Sequence, residues 1–262
     1  MPTDPFKNLD PTQKVKVLPR HLAGPGFVDP RTVWAFPFSK GWPFAQVEDG
    51  TAAAFSPCLR LQTTYGPQPH TPSKGTWTVS AHRAPSSPAV WQMRFDATTP
   101  VELLQDLHIE LFDLYLEDRH SDRDWLFEDE TAAQETYVPL LARGWNHRVK
   151  TDGTQTFLAA DGLVGVRHRY ATTGSPQPSW QVWGGHLSEP LWQARFSRGT
   201  PTTLVAALTA SLISTEPLRR TADEVPRPTR SHLYLATPVT QQSPAVPPLT
   251  PLPPGPSTGR SL

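Results

Sequence analysis

Hydrophobic and polar residues alternate along this chain in short bursts, and the bursts come twice. In Trp91-Gln92-Met93-Arg94-Phe95 every second residue is apolar, and the same alternation returns in Trp192-Gln193-Ala194-Arg195-Phe196. A period of two marks a half-buried strand with one face inward and one face wet. Such segments fall at residues 53–55, 59–65, 76–82 and 90–95, and again at 155–159, 163–170, 180–184 and 191–196, separated by Pro- and Gly-rich turns. Four short strands in succession predict an antiparallel meander in each half.

After each meander the period changes to that of a helix. Thr99 is placed to cap it, Pro100 suits its first position and Glu102 completes a capping box. Leu104, Leu107, Leu111, Leu114 and Tyr115 form an apolar stripe, while Glu102, Asp106, Glu110, Asp113 and Glu117 take the other side. The second copy, opened by Thr200-Pro201, keeps the stripe in Leu204, Leu208 and Leu212 but has Thr and Ser in place of the acids. Shorter helical segments are expected at 29–39 and at 131–143, the latter closed by Gly144. Gly41-Trp42 and Trp77 return as Gly144-Trp145 and Trp180. The chain is a tandem duplication of an α+β unit, each with a four-stranded antiparallel sheet followed by an amphipathic helix that covers one sheet face.

This pattern divides the 262 residues. A flexible lead-in (1–19) precedes the first repeat (20–117), an acidic crossover (118–130) leads to the second repeat (131–215), and a proline-rich tail (216–262) is largely disordered. Within the crossover, Trp125, Leu126 and Phe127 should pack rather than float. Within the tail, Leu233-Tyr234-Leu235 could add an edge strand. Cationic and anionic residues balance at 24 each, but they are segregated. Residues 96–135 hold 13 acids and 2 bases, whereas residues 143–198 hold 7 bases and 3 acids. Such asymmetry speaks to partners more than to fold.

Strand parity assigns the faces. Trp91, Met93 and Phe95 point inward with Gln92 and Arg94 outward; Leu59 and Leu61 point inward against Arg60; Val164, Val166 and His168 oppose Arg167 and Arg169; Trp180 and Val182 oppose Trp183. The outer face thus collects Arg60, Arg94, Arg167, Arg169, Arg195 and Trp183, a cationic surface with an indole that suits single-stranded nucleic acid.

Catalytic signatures are lacking. Cys58 is the only cysteine, which excludes an intramolecular disulfide and a thiolate metal cluster, and His108-Ile109-Glu110 lacks the downstream cysteine pair of a zinc deaminase. No phosphate loop, nucleophile elbow or His-Glu-x-x-His occurs, so neither enzyme activity nor a metal or other cofactor is expected. No apolar run approaches 18 residues and the N-terminal residues lack a signal-peptide pattern, so a soluble cytoplasmic protein without a membrane partner is expected. Arg outnumbers Lys 18 to 6 beside 31 prolines, as suits a GC-rich genome.

The ordered landmarks His21-Leu22-Ala23-Gly24, Gly41-Trp42, Ser56-Pro57, a Trp strand, Trp-x-x-x-Phe and Thr-Pro-Val-Glu-Leu-Leu resemble the SPDY domain, abundant in actinobacteria and often paired. The resemblance spans about 20–115 and, more loosely, 131–214. Where that family tends to show Ser-Pro-Asp, the first copy has Ser56-Pro57-Cys58 and the second Ala159-Ala160-Asp161, so each keeps part of the motif. The family carries no settled activity, and the likeness implies fold and repeat only. The plan of four strands and a helix given twice is also similar to Whirly-type and transcription-cofactor-type binders of single-stranded DNA. Two functions follow as expectations. One is a non-catalytic binder of single-stranded DNA or RNA using Arg60, Arg94, Arg167, Arg169, Trp183 and Arg195. The other is a protein-interaction or self-assembly adaptor using Glu102, Asp106, Glu110, Asp113, Glu117, Trp125, Phe127 and the tail.

Overall fold

The computed structural model describes residues 4–38, 41–46, 50–68, 71–128, 130–170 and 178–236. Strand β1 (Lys14–Leu18) comes first, followed by a short helix α1 (Pro30–Val33). The first meander is β2 (Phe44–Gln46), β3 (Ala52–Phe55), β4 (Leu61–Gln68), β5 (Thr71–His82) and β6 (Ala89–Asp96), and it runs into helix α2 (Val101–His120). The second half repeats the order with helix α3 (Ala133–Ala142), strands β7 (Asn146–Val149), β8 (Gln155–Leu158), β9 (Val164–His168), β10 (Trp180–His186) and β11 (Glu189–Phe196), and helix α4 (Thr202–Leu212). Each half therefore holds a fifth strand that alternation does not reveal. β2 and β7 are edge strands of three and four residues, and β7 is exposed along its whole length. A short, polar edge carries no periodic signal, and it also discourages pairing with a foreign strand.

The two meanders make one sheet. β6 pairs antiparallel with β11, giving the order β2-β3-β4-β5-β6-β11-β10-β9-β8-β7. Arg94 lies opposite Arg195, so each repeat meets its own equivalent residue and a local two-fold axis passes between them. On the inner side of this seam the equivalent rings of Phe95 and Phe196 meet edge to face at 5.7 Å. Above them α2 and α4 lie side by side, flanked by α1 and α3. The apolar stripe of α2, Leu104, Leu107, Leu111, Leu114 and Tyr115, is buried in the same cluster as Trp77, Trp91, Trp180 and Trp192. Strand parity thus holds for these tryptophans, and Arg94 and Arg195 are exposed on the opposite face.

Each repeat has one end to seal, and the seal is anchored the same way twice. The Trp91 indole N–H donates to the Leu126 carbonyl (2.7 Å), and the Trp192 indole N–H donates to the His21 carbonyl (2.9 Å). In the first repeat the sealing segment is the acidic crossover; in the second it is the N-terminal turn at Arg20–Leu22. That turn belongs to a cap in which β1 pairs with β12 (Leu218–Thr221) and β13 (Tyr234–Leu235) over its own small core of Phe6, Val17, Leu22, Leu218 and Leu233. Gly184 admits this approach: a Cβ there would stand 2.3 Å from the Trp192 indole nitrogen and 2.9 Å from the His21 carbonyl oxygen.

The cap corrects three expectations. The lead-in to residue 19 and the tail from residue 216 supply strands, β13 being the edge strand that Leu233-Tyr234-Leu235 suggests, so the folded chain reaches Ala236; residues 237–262 of the expected tail lie outside those described. Glu102 forms no capping box: helix α2 begins at Val101, and the Glu102 carboxylate takes both Nη atoms of Arg220, the Nη2 contact at 2.7 Å. The Arg220 side chain is 2% exposed, so a bidentate pair with good geometry is what makes its burial tolerable. Asp106, half-exposed, is also bound to the cap, accepting from Arg20 at 3.1 Å and from Ser211. The two acids bind the cap to the helical layer.

His108 packs within that layer, its Nδ1–H donating to the Leu104 carbonyl at 2.6 Å. Burial, only partly opposed by that bond, lowers its pKa from 6.5 to about 4. The unfolded chain therefore binds the more protons between these values, so the contribution to stability is complete above pH 6.5 and is lost as pH falls toward 4. Urea midpoints at pH 7 and pH 5 should show the fall, and in His108→Leu the dependence should be shallower by up to about 1.4 kcal/mol per pH unit.

Candidate binding surfaces

The register places one row of residues straight across the wet face. Starting from the β7 edge it runs Arg148, Thr156, Arg167, Gln181, Arg195, Arg94, Thr78, Thr64, Ala53 and Ala45, one residue per strand. Four of the ten are arginines, and no carboxylate interrupts the row. With neighbouring strands ~4.8 Å apart, Arg148 to Arg94 spans about 24 Å. Arg148 lies outside the set expected from the sequence because β7 carries no strand signal. Arg169 continues the outward parity of β9 but lies one pair beyond the row, and it is half-buried.

Within the row the charges are held up by their own strands. Arg94 Nε donates to Gln92 Oε1 (2.8 Å), and Arg195 Nη2 donates to Gln193 Oε1 (2.7 Å), the equivalent pair in each repeat joined through a different guanidinium nitrogen. Like charges directly opposite across a strand pair disfavour each other. Asp96, near Arg195, offsets part of this, although burial raises its pKa more than the Gln193 N–H and Arg195 lower it. The Arg167 pKa is lowered, first by burial and then by Arg169. The cationic half of the face belongs to the second repeat and the seam; beyond Arg94 the row is uncharged.

Two residues expected on this surface do other work. Trp183 is 0% exposed, with the Arg167 guanidinium 5.4 Å from its ring centroid. It lies over the residue paired with it, Gly165, where a Cβ would come within 2.2 Å of its Cζ2. Base stacking on this indole is closed off. Arg60 is not on a strand at all: Leu59 turns the chain in the left-handed region (φ +57°) and is itself exposed, which breaks the parity that put Leu59 inward. Arg60 instead binds Asp118 at 2.8 Å and also Asp124, tying the crossover to the sheet.

The acidic side divides in the same manner. Glu102 and Asp106 are consumed by Arg220 and Arg20, and Phe127 is covered by the guanidiniums of Arg60 and Arg83 at 5.2 and 4.9 Å. What remains is a recess of about 180 Å³ lined by Glu110, Asp113, Glu117, Glu128, Glu130 and Trp125, in which Glu130 pairs with Arg123 at 2.8 Å and the Arg123 guanidinium lies 4.9 Å from the Trp125 ring centroid. Burial raises the Glu110 pKa, and the charges of Asp113 and Glu117 add to it. Among the described residues no group of three or more His, Cys, Asp or Glu could hold a metal ion. Cys58 is half-buried; burial raises its pKa, but bonds from Ser56, the Arg60 N–H and Tyr115 outweigh it and leave the thiol lowered.

An antiparallel sheet built from two equivalent meanders, with both helices on one face, defines a duplicated α+β domain. A family model matches the chain twice, over residues 55–116 and 160–218, and the family is SPDY, a domain of unknown function (DUF317). The two matched spans fall one in each structural repeat, consistent with two tandem copies of the SPDY domain. The matched spans run from the end of β3 into α2 and from the β8–β9 turn past α4 to the start of β12, while the structural repeat starts earlier, at α1 and α3. No curated protein and no solved structure matches the chain.

The Arg60 assignment can be separated from nucleic-acid binding. The Asp118 side chain is 1% exposed, so Arg60→Ala leaves a buried carboxylate without its countercharge. A loss of roughly 3 kcal/mol or more in urea unfolding is expected. Affinity for oligonucleotides should be unchanged, as measured by fluorescence anisotropy.

Proposed function

We propose that this is a non-catalytic, cytoplasmic binding protein that holds single-stranded nucleic acid along its arginine row. The carrying observation is that Arg148, Arg167, Arg195 and Arg94 come from four strands into one register line on the wet face. A line of guanidiniums on a polar face follows a phosphate backbone, and release of counterions from the strand supplies the affinity. With Trp183 buried, contacts fall on phosphates rather than on bases, so sequence preference should be slight. Arg169 extends the row at one side.

A second reading rests on a different observation, the carboxylate-lined recess around Trp125. A basic segment of a protein partner would meet Glu110, Asp113, Glu117 and Glu128 there, and would have to displace Arg123 to use Trp125 as an anchor. In that reading residues 237–262 act as a tether, and a truncation meant to test them should end at Ala236, since β13 (Tyr234–Leu235) belongs to the cap.

Titration of a labelled mixed-sequence single strand against rising KCl tests the first reading. Affinity should fall linearly on a log–log plot, and Arg94→Ala with Arg195→Ala should flatten the slope by roughly 0.7 for each phosphate no longer neutralised. Binding that ignores salt, or a double variant identical to the wild type, would remove it. For the second reading, Asp113→Lys with Glu117→Lys should abolish capture of a lysine-rich peptide while sparing the oligonucleotide; a peptide affinity untouched by the reversal counts against it.

A further inference from the structure

The two repeats share a turn and a tryptophan at their open ends but not an occupant. Residues of the β3–β4 and β8–β9 regions correspond at a spacing of 103. The Ser56 N–H bonds to the Leu61 carbonyl as the Ala159 N–H bonds to that of Val164, and Leu59 turns with positive φ as Gly162 does. By the same spacing Trp42 corresponds to Trp145 and Cys58 to Asp161. In the first repeat the place between these residues is filled from within. Tyr115, in the second half of α2, sets its ring edge-on to Trp42 with centroids 5.2 Å apart, and its hydroxyl donates to Cys58 Sγ at 3.6 Å.

Helix α4 stops too early to do this. Leu212, its last residue, corresponds to Leu111, and the position equivalent to Tyr115 falls at Glu216, where the chain is already turning into β12. The corresponding space is open. A cavity of about 590 Å³ lies there, walled by Trp145, Asp161, Val164 and Ile213 from the repeat and by His21 and Leu233 from the cap. That volume is in the range of small-molecule sites, and the wall is apolar with a few polar groups, as such sites are.

We propose that this cavity binds a small aromatic molecule carrying a hydroxyl or amine substituent, the group that the first repeat supplies from its own chain as Tyr115. The ring packs against Trp145, and its substituent donates to Asp161. One Asp161 oxygen already accepts the Leu163 N–H (2.9 Å), which fixes the carboxylate and leaves its other oxygen for the ligand. Where the first copy offers a thiol, the second offers a carboxylate, a far stronger acceptor.

His21 supplies an independent pointer to a ligand. It is 6% exposed and lines the cavity, yet neither ring nitrogen has a hydrogen-bond partner. Burial lowers its pKa to about 4 against the opposing charge of Asp161, so the ring is neutral at pH 7, with one N–H to donate and one nitrogen to accept. An unpaired buried polar group is costly, and because both nitrogens are shut off from solvent, a ligand recovers that cost by entering the wall far enough to reach one of them. The inference is independent of the arginine row, which lies on the other face of the sheet.

Calorimetric titration of the full chain with 4-ethylphenol, 4-ethylaniline and, as the shape control, 4-ethyltoluene tests this. The phenol and the aniline should bind saturably with a Kd of about 1 mM or tighter, and the control at least about tenfold more weakly. Asp161→Asn keeps the turn and should weaken the phenol about tenfold while leaving the control unchanged. Ala159→Trp, on the cavity wall, should abolish binding of all three; its fold is checked by circular dichroism, and Ile213→Trp serves if it fails. Equal affinity for phenol and control, phenol binding indifferent to Asp161→Asn, or no saturation of the phenol by about 10 mM would overturn the proposal.

Discussion

Antiparallel pairing of β6 with β11 is the constraint from which the rest of the molecule follows. Because each repeat meets itself there, everything on one side of the seam has a counterpart on the other. Phe95 faces Phe196 beneath the helices, and Arg94 faces Arg195 in solvent. A meander of about 50 residues ending in an open edge would bury too little and expose an adhesive strand. Joining two of them edge to edge removes both problems and brings α2 and α4 together over a common core.

Equivalence ends at the ends of the sheet. The paired tryptophans Trp91 and Trp192 both need an acceptor for a buried indole N–H, and each finds a backbone carbonyl brought from elsewhere in the chain. The first repeat uses a 20-residue α2 and the crossover, held by Arg60 with Asp118 and Asp124. The second uses an 11-residue α4 and borrows the N- and C-terminal strands, held by Arg20 and Arg220 on Asp106 and Glu102. The carboxylates of one helix thereby serve both solutions. The difference in helix length is what leaves space beside Trp145 where Tyr115 fills it beside Trp42.

The duplication, the two helices and the parity of β6 and β11 are legible in the sequence because strict alternation and a leucine stripe are strong local signals. Expectation and structure part where the cause is not local. Leu59 interrupts alternation with a turn that a non-glycine residue rarely makes, and this moves Arg60 off the face. Trp183 keeps its parity but is laid down by the glycine on the neighbouring strand, a relation visible only once β9 and β10 are paired. Glu102 reads as a capping residue, and only the fold brings Arg220 to it from 118 residues away. Arg148 is hidden for the opposite reason: a four-residue edge strand has too few positions to declare a period.

The seam has one more implication, for how such a protein can vary. The strand that joins the halves offers the same surface in both, so a chain with a single copy could complete the ten-stranded sheet by pairing with a second molecule. Covalent linkage relieves that arrangement of its dependence on concentration. It also frees the halves from having to match, since symmetry between separate subunits forces every residue to serve both places at once. Fused halves can specialise.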